Sequence, residues 1–316
     1  MSDPRQLDVE LETVCDIADR ALPGTGRPFV ERAASGSTTH VYRVHRDTTT
    51  FFVRIAEDTE DSMAIEALVH GELRRRGVRV PDVVLLEPFD ERIRRSVMVT
   101  TEIRGHSLRD QATDAGLHGV WVNAGRDLAA IGDVAVRGFG FIRRDQSATS
   151  LEAEEPSARS LMLEDFSGRL GSLQDGMLDA REVSGIERAV ALHAGKLDGL
   201  PSRLAHGDFD DTHVFRHGRA YSGIIDFGEM RGAPPLYDAA HYALHDRSFS
   251  RPTLPSLMQG YTDVLPLPSD HETQIAMLAL LIGIRVLARV ADRPLPEYQR
   301  SLRAGIHAMT NRLLSP

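Results

Sequence analysis

The periodicity of apolar residues changes once along this chain, near Gly105, and that change constrains the fold more than any other feature. Before it lie short β-rich runs, at roughly 28–34, 40–46 and 50–56, separated by Gly/Ser/Thr turns. One helical stretch, "DSMAIEALVHGELRRR" at 61–76, follows them. "GVRVPDVVLLEP" and "RSVMVTTEIRG" then return to strand. An amphipathic helix at 8–22, closed by "PGTG", precedes the set. After Gly105 helical patterns dominate, over 107–134, 150–200 and most of 236–314, with proline-rich breaks at 251–255 and 264–268. The expected organisation is a sheet-rich part over 1–102, a crossover at 103–106 and a mainly helical part over 107–316.

Composition narrows the function classes. With 41% hydrophobic and 26% charged residues the chain is an ordinary globular one, not a disordered one. A net charge of −9 argues against nucleic acid as a partner. The most apolar stretch, "IAMLALLIGIRVLARVA" at 275–291, is interrupted by Arg285 and Arg289, so a buried helix is expected and no membrane association. Cys15 is the sole cysteine and no signal peptide is visible, which fits a reducing cytoplasm. Lys196 is the sole lysine among 37 basic residues.

The chemistry is concentrated in "LAHGDFDDTHVFRHGRAYSGIIDFGEM", residues 204–230. Two strand-like segments each end in a carboxylate beside a glycine, Asp208 in "HGD" and Asp226 in "IIDFG". The hairpin expected between them, around His217-Gly218, would bring Asp208, His213 and Asp226 together. Transfer of a nucleotide γ-phosphoryl group needs one carboxylate to orient and deprotonate the attacking hydroxyl and a second to hold Mg²⁺. The order His-Gly-Asp, strand, Asp-Phe-Gly is the layout of a kinase catalytic loop followed by its metal loop.

On "HGDFDDTH", "IIDFGEMRGAPPLYDAAHY", "RSVMVTTEIRGHSL" and "GRDLAAIGDVAVRGFGF", the chain resembles the aminoglycoside/macrolide phosphotransferases, over roughly residues 30–290. The resemblance implies an α+β, bilobal, protein-kinase-like fold, with a small antiparallel-sheet N-lobe carrying one helix and a larger, mainly helical C-lobe. It implies ATP or GTP as co-substrate, Mg²⁺ as cofactor, and a small-molecule hydroxyl, of an aminoglycoside or related antibiotic, as acceptor. Asp208 becomes the catalytic base and Asp226 the principal metal ligand, with His213 a second metal contact where the family usually has Asn. His206 would brace the loop, and Asp238 would cap or anchor the following helix. Arg54 takes the place of the phosphate-binding lysine, with Glu66 rather than Glu72 as its partner. Ser35, Gly36, Ser37 and Thr38 would line the phosphates, and Thr101 and Ile103, in the hinge-like "RSVMVTTEIRGHSL", would contact the nucleotide. Asp211 and Glu229 are candidate substrate contacts. A monomer or homodimer is expected.

Bland roles stand beside these. Turn-capping would explain both aspartates, and an exposed ion pair Arg54 and Glu66. His213 would serve as a structural histidine, and Asp238 as a plain N-cap. His241 and His245, four apart, suit a satisfied helix face better than a metal site, and Trp121 belongs in the core. Three other functions compete with antibiotic phosphorylation: a nucleotide-binding pseudokinase, a kinase of a primary metabolite such as choline or homoserine, and a metal-dependent hydrolase.

Overall fold

The computed structural model describes residues 9–22, 24, 26–33, 39–109, 115–174, 176–245 and 253–315. It divides into two compact units. The first comprises 1–105 with two later segments, 143–150 and 222–228; the second comprises 106–142, 151–221 and 229–316.

In the first unit, α1 (Leu11–Ala21) precedes β1 (Phe29–Arg32), β2 (Thr39–Arg46) and β3 (Thr49–Ala56). Then come α2 (Ala64–Arg75), β4 (Val83–Asp90) and β5 (Arg95–Thr101). The five strands form one antiparallel sheet in the order β1-β2-β3-β5-β4. Alternation sorts the side chains: every second residue of β2 is buried. Tyr42, Val44, Val53, Ile55, Val97 and Val99 pack with Val14, Ile17 and Ala18 of α1. A smaller cluster of Ala56, Met63 and Met98 packs with Ala67 of α2. Arg54 lies between Val53 and Ile55 and pairs in register with Met98. Period two therefore sends its side chain away from the α1 cluster, toward α2.

The second unit opens with β6 (His106–Ser107), α3 (His118–Gly132) and β7 (Gly140–Phe141). Next are α4 (Ala158–Leu163), α5 (Phe166–Gln174) and α6 (Ala180–His193). β8 (Arg203–Ala205), β9 (Val214–His217) and β11 (Arg231–Ala233) follow, and β10 (Ala220–Ile224) has its last three residues in the first unit. The chain ends in α7 (Tyr237–His245), α8 (Thr253–Thr262), α9 (His271–Val290) and α10 (Pro296–Leu314). β11 lies between β7 and β8, and β6 pairs with β9, all antiparallel. The tight turn that leads from β9 into β10 contains Gly218 at φ +60°.

Helix α9 is apolar on nearly all sides, as a helix enclosed by others must be. It packs against α4, α5, α7 and α10. The helix is long and apolar enough to cross a membrane, but most of it is buried inside the protein. Trp121 is core, 1% exposed. One expectation needs correction. From Thr253 onward the proline-rich break is the first turn of α8, with Pro255 inside it. A first-turn residue has no intrahelical N–H bond to lose, so proline is tolerated there.

Helices α3 and α8 approach so closely that glycine is required at the crossing. A Cβ on Gly260 would lie 1.8 Å from the Val122 carbonyl oxygen, and one on Gly125 would lie 1.9 Å from that of Leu257. Gly260→Ala is expected to force the pair apart, costing about 1–3 kcal/mol or more, as overpacking does. A thermal melt of the variant checks this; an unchanged midpoint contradicts the packing.

Candidate active site

Strand β8 delivers the chain to His206 and Gly207, both buried. Gly207 sits at φ +90°, and a Cβ there would lie 2.0 Å from the Glu229 carbonyl oxygen, so the turn admits only glycine. The carboxylate of Asp238 holds this turn from below. Oδ2 accepts from the His206 N–H at 2.7 Å and Oδ1 from the Gly207 N–H at 2.8 Å. Asp238 is therefore not the plain N-cap of α7. It lies within the helix's first turn and spends both oxygens on the loop. Burial raises its pKa, opposed by His206 and the two N–H donors.

Held this way, Asp208 presents a half-exposed side chain. Its carbonyl oxygen accepts from His213 Nδ1 at 2.8 Å, and Asp210 Oδ1 lies 3.4 Å from the same nitrogen. His213 is thus folded onto the loop, its ring 5.5 Å from that of His206, rather than a surface group. His241, expected on a satisfied helix face, finds its partners in the loop. Nδ1 lies 3.1 Å from the Phe209 carbonyl oxygen and Nε2 3.6 Å from Asp208 Oδ1. Burial drives the His241 pKa down to about 4, so the ring is neutral at pH 7. Nδ1 then carries the proton, since a carbonyl only accepts. Asp211 lies half-buried in the same loop, and Glu229 turns its carboxylate to Arg231 at 2.9 Å.

The other candidates lie in the first unit. Arg54 Nη1 donates to Glu66 Oε1, and both groups are buried, at 13% and 3% side-chain exposure. The exposed-pair reading does not hold, while Glu72 engages Arg75 and Arg76 instead. Burial opposes both charges, but their mutual attraction wins: the Glu66 pKa falls and the Arg54 pKa rises. Asp226 adds to the rise of Arg54, so the guanidinium lies within the field of that carboxylate. Asp226 itself is exposed at φ +67°, a backbone state rare for residues other than glycine and concentrated at functional sites. Phe227 is buried against His70 of α2, with ring centroids 5.3 Å apart. Arg144 donates to the carbonyls of Phe227 and Gly228, at 3.1 and 2.5 Å. Thr101 Oγ1 accepts from the Asp82 N–H at 2.9 Å, and Ile103 is half-buried. Ser35, Gly36, Ser37 and Thr38 lie outside the described residues.

Three positions escaped the sequence reading. Arg144 and Arg231 are arginines among many, with no spacing to distinguish them. His241 had a signal, its place three residues after Asp238, but that register points to the loop only once α7 is docked.

The donors can be matched to Mg²⁺. Asp226 offers the hard oxygen that the ion takes. His213 has Nδ1 committed to the Asp208 carbonyl, so only Nε2 would face a metal, and nitrogen is a poor ligand for Mg²⁺. Among the described residues no group of three or more His, Cys, Asp or Glu is arranged to hold a metal. The hydrolase reading needs such a set.

Known proteins place this geometry in context. No curated protein matches the sequence. Solved structures match its fold. A thermostable mutant of aminoglycoside phosphotransferase APH(4)-Ia, apo form, is similar at TM-score 0.67 and 17% identity, over 92% of this chain and 97% of that one. Another mutant of that enzyme, in ternary complex with AMP-PNP and hygromycin B, is similar at TM-score 0.68 and 13% identity, over 96% and 100%. A candidate fructosamine-3-kinase from Thermobifida fusca is similar at TM-score 0.61 and 20% identity, over 92% and 98%. The likeness to these solved structures is one of fold, an antiparallel sheet with its helix followed by a mainly helical region. Sequence goes further, because a family model matches residues 30–272, the span that holds every loop described above. The chain belongs to the phosphotransferase enzyme family.

Proposed function

We propose that this phosphotransferase moves the γ-phosphoryl group of ATP or GTP to a hydroxyl of a small molecule, by direct in-line displacement. The observation that carries the reading is the catalytic loop: a half-exposed Asp208 on a turn whose two preceding N–H groups are fixed by one buried carboxylate. Such a turn fixes where a base stands, and position supplies most of what an enzyme contributes to phosphoryl transfer. As the acceptor oxygen bonds to phosphorus, the bond from phosphorus to the β-phosphate oxygen breaks and its electron pair leaves with the nucleoside diphosphate. The hydroxyl proton passes to the Asp208 carboxylate. Arg54, held by Glu66, would contact the nucleotide phosphates with the rest of its planar fork. Asp226 would hold Mg²⁺, which supplies positive charge to the phosphate oxygens when bound, and His213 would be a second contact or a brace for the loop.

The cytoplasm, where such nucleotides are made, is the compartment this reading implies, and buried Cys15 needs no oxidising one. The test is nucleoside diphosphate release with ATP or GTP and Mg²⁺, across aminoglycosides, macrolides, amino alcohols and hydroxy acids. Acceptor-dependent release lost in Asp226→Ala supports the assignment. Nucleotide binding with no release for any acceptor favours the pseudokinase.

A further inference from the structure

Beside the general base stands a buried histidine. His241 projects from α7, the helix whose first turn also carries Asp238. Its Nδ1 lies 3.1 Å from the Phe209 carbonyl oxygen and its Nε2 lies 3.6 Å from Asp208 Oδ1. One ring thus touches two consecutive residues of the catalytic loop, the side chain of the first and the main chain of the second. Its place is fixed from behind, because α7 packs against α8, α9 and α10. The Phe209 side chain is itself fully buried.

The two contacts differ in kind. A carbonyl oxygen only accepts, so the neutral ring gives its Nδ1–H to Phe209 and turns the Nε2 lone pair toward Asp208. An ionised carboxylate also only accepts, so two acceptors face each other. A separation of 3.6 Å, beyond hydrogen-bond length, is what facing acceptors adopt. Protonation of Asp208 reverses the relation, because a carboxylic acid has an O–H to donate. The resting carboxylate cannot make this hydrogen bond; its protonated form can.

We propose that His241 Nε2 accepts a hydrogen bond from Asp208 once that carboxyl holds the acceptor proton, which makes His241 a positioning residue for the transfer. The proposal rests on the phosphoryl-transfer reading above. The acceptor O–H bond breaks, its electron pair stays on the oxygen that bonds to phosphorus, and the proton bonds to Asp208. With the proton on Oδ1, the carboxyl donates to Nε2. No covalent bond to His241 forms or breaks, and the proton returns to solvent after the product leaves. A bond that exists only once the proton has moved favours the transition state over the resting complex, and so raises kcat.

Thermal unfolding tests the contact without turnover. Asp208→Asn stands in for the protonated carboxyl, since its amide offers an N–H in the same place. It is expected to melt about 1–4 °C above wild type, the shift for one hydrogen bond gained. In a His241→Asn background the same substitution should gain nothing, because that side chain can serve the Phe209 carbonyl but leaves no acceptor at Asp208. If this background does not fold, His241→Phe replaces it. No gain with His241 present, or an equal gain in both backgrounds, overturns the proposal. Turnover tests the role, as nucleoside diphosphate release from ATP or GTP with Mg²⁺ and kanamycin, erythromycin, choline or L-homoserine. His241→Asn is expected to lower kcat about tenfold, with each KM held within about twofold. His241→Gln, whose amide oxygen can stand where Nε2 stood, should recover part of that loss. Unchanged kcat in His241→Asn, a change in KM alone, or equal losses in the Asn and Gln variants sinks the proposal and leaves phosphoryl transfer standing. Wild type that releases nothing with any acceptor, while the melting difference persists, ends phosphoryl transfer itself and this role of His241 with it.

Discussion

Asp208→Asn is expected to lower turnover by about 10²–10⁴-fold, the usual contribution of a positioned general base. Nucleotide affinity should stay within about twofold, because the substitution is on the acceptor side of the reaction and alters no phosphate contact. Asparagine preserves the size of the side chain, and the loop does not depend on the Asp208 carboxylate for its shape. Its N–H bonds run to Asp238, and its carbonyl bond to His213 comes from the main chain. What the variant lacks is an anionic oxygen able to take the acceptor proton. Steady-state kinetics with titration calorimetry of the nucleotide separates these quantities. Full turnover in Asp208→Asn would remove the base from the mechanism. Equal loss of turnover and nucleotide binding would mean that the loop had collapsed instead.

The second large effect is expected at Glu66. Glu66→Gln leaves the buried Arg54 guanidinium without its counter-ion, and breaking a buried pair from one side costs about 3–5 kcal/mol. The direction of pH dependence follows. The Glu66 pKa lies below its unfolded value, so its contribution is complete above the ordinary carboxylate range and disappears as pH falls through the depressed folded value. Wild type should therefore hold a stability advantage over Glu66→Gln at pH 7 that narrows in acid. Denaturant melts across that range measure it. A double variant, Arg54→Met with Glu66→Leu, distinguishes fold from function. Replacing both partners by apolar groups is often neutral or stabilising, so the double variant should melt near wild type. It should still bind nucleotide roughly tenfold to a hundredfold more weakly, the loss of about 1.5–3 kcal/mol expected for a charge-assisted hydrogen bond. Restored stability with undiminished nucleotide binding would leave Arg54 a purely structural cation.

Much of this protein was legible in one dimension because its signals are local. Period two in 39–46 and 49–56 fixes which side chains leave each face of a strand, and so turns Arg54 away from Val53 and Ile55 toward α2. The unbroken apolar character of 275–291 reports an enclosed helix whatever surrounds it. Gly207 before Asp208 reports a sharp turn because only glycine tolerates that backbone so close to another chain segment. The pairing of Arg54 with Glu66 was expected from the family resemblance, and the fold forms it by setting α2 against β3.

Other features arise only when distant segments dock. Asp238, thirty-one residues downstream of Gly207, reads as a helix cap until α7 is set beneath the loop and both oxygens take its N–H groups. His241 acquires its role from the same docking, and its neutral state from the burial that follows. Arg231 is one arginine among many in the sequence; only the folded chain sets it beside Glu229, Tyr237 and the Phe141 ring. The sequence alone determined the elements, their faces and the residues capable of chemistry, because periodicity and backbone permissiveness are properties of neighbours. Tertiary structure alone decided burial and partnership, because desolvation and ion pairing depend on atoms that the order of residues does not place.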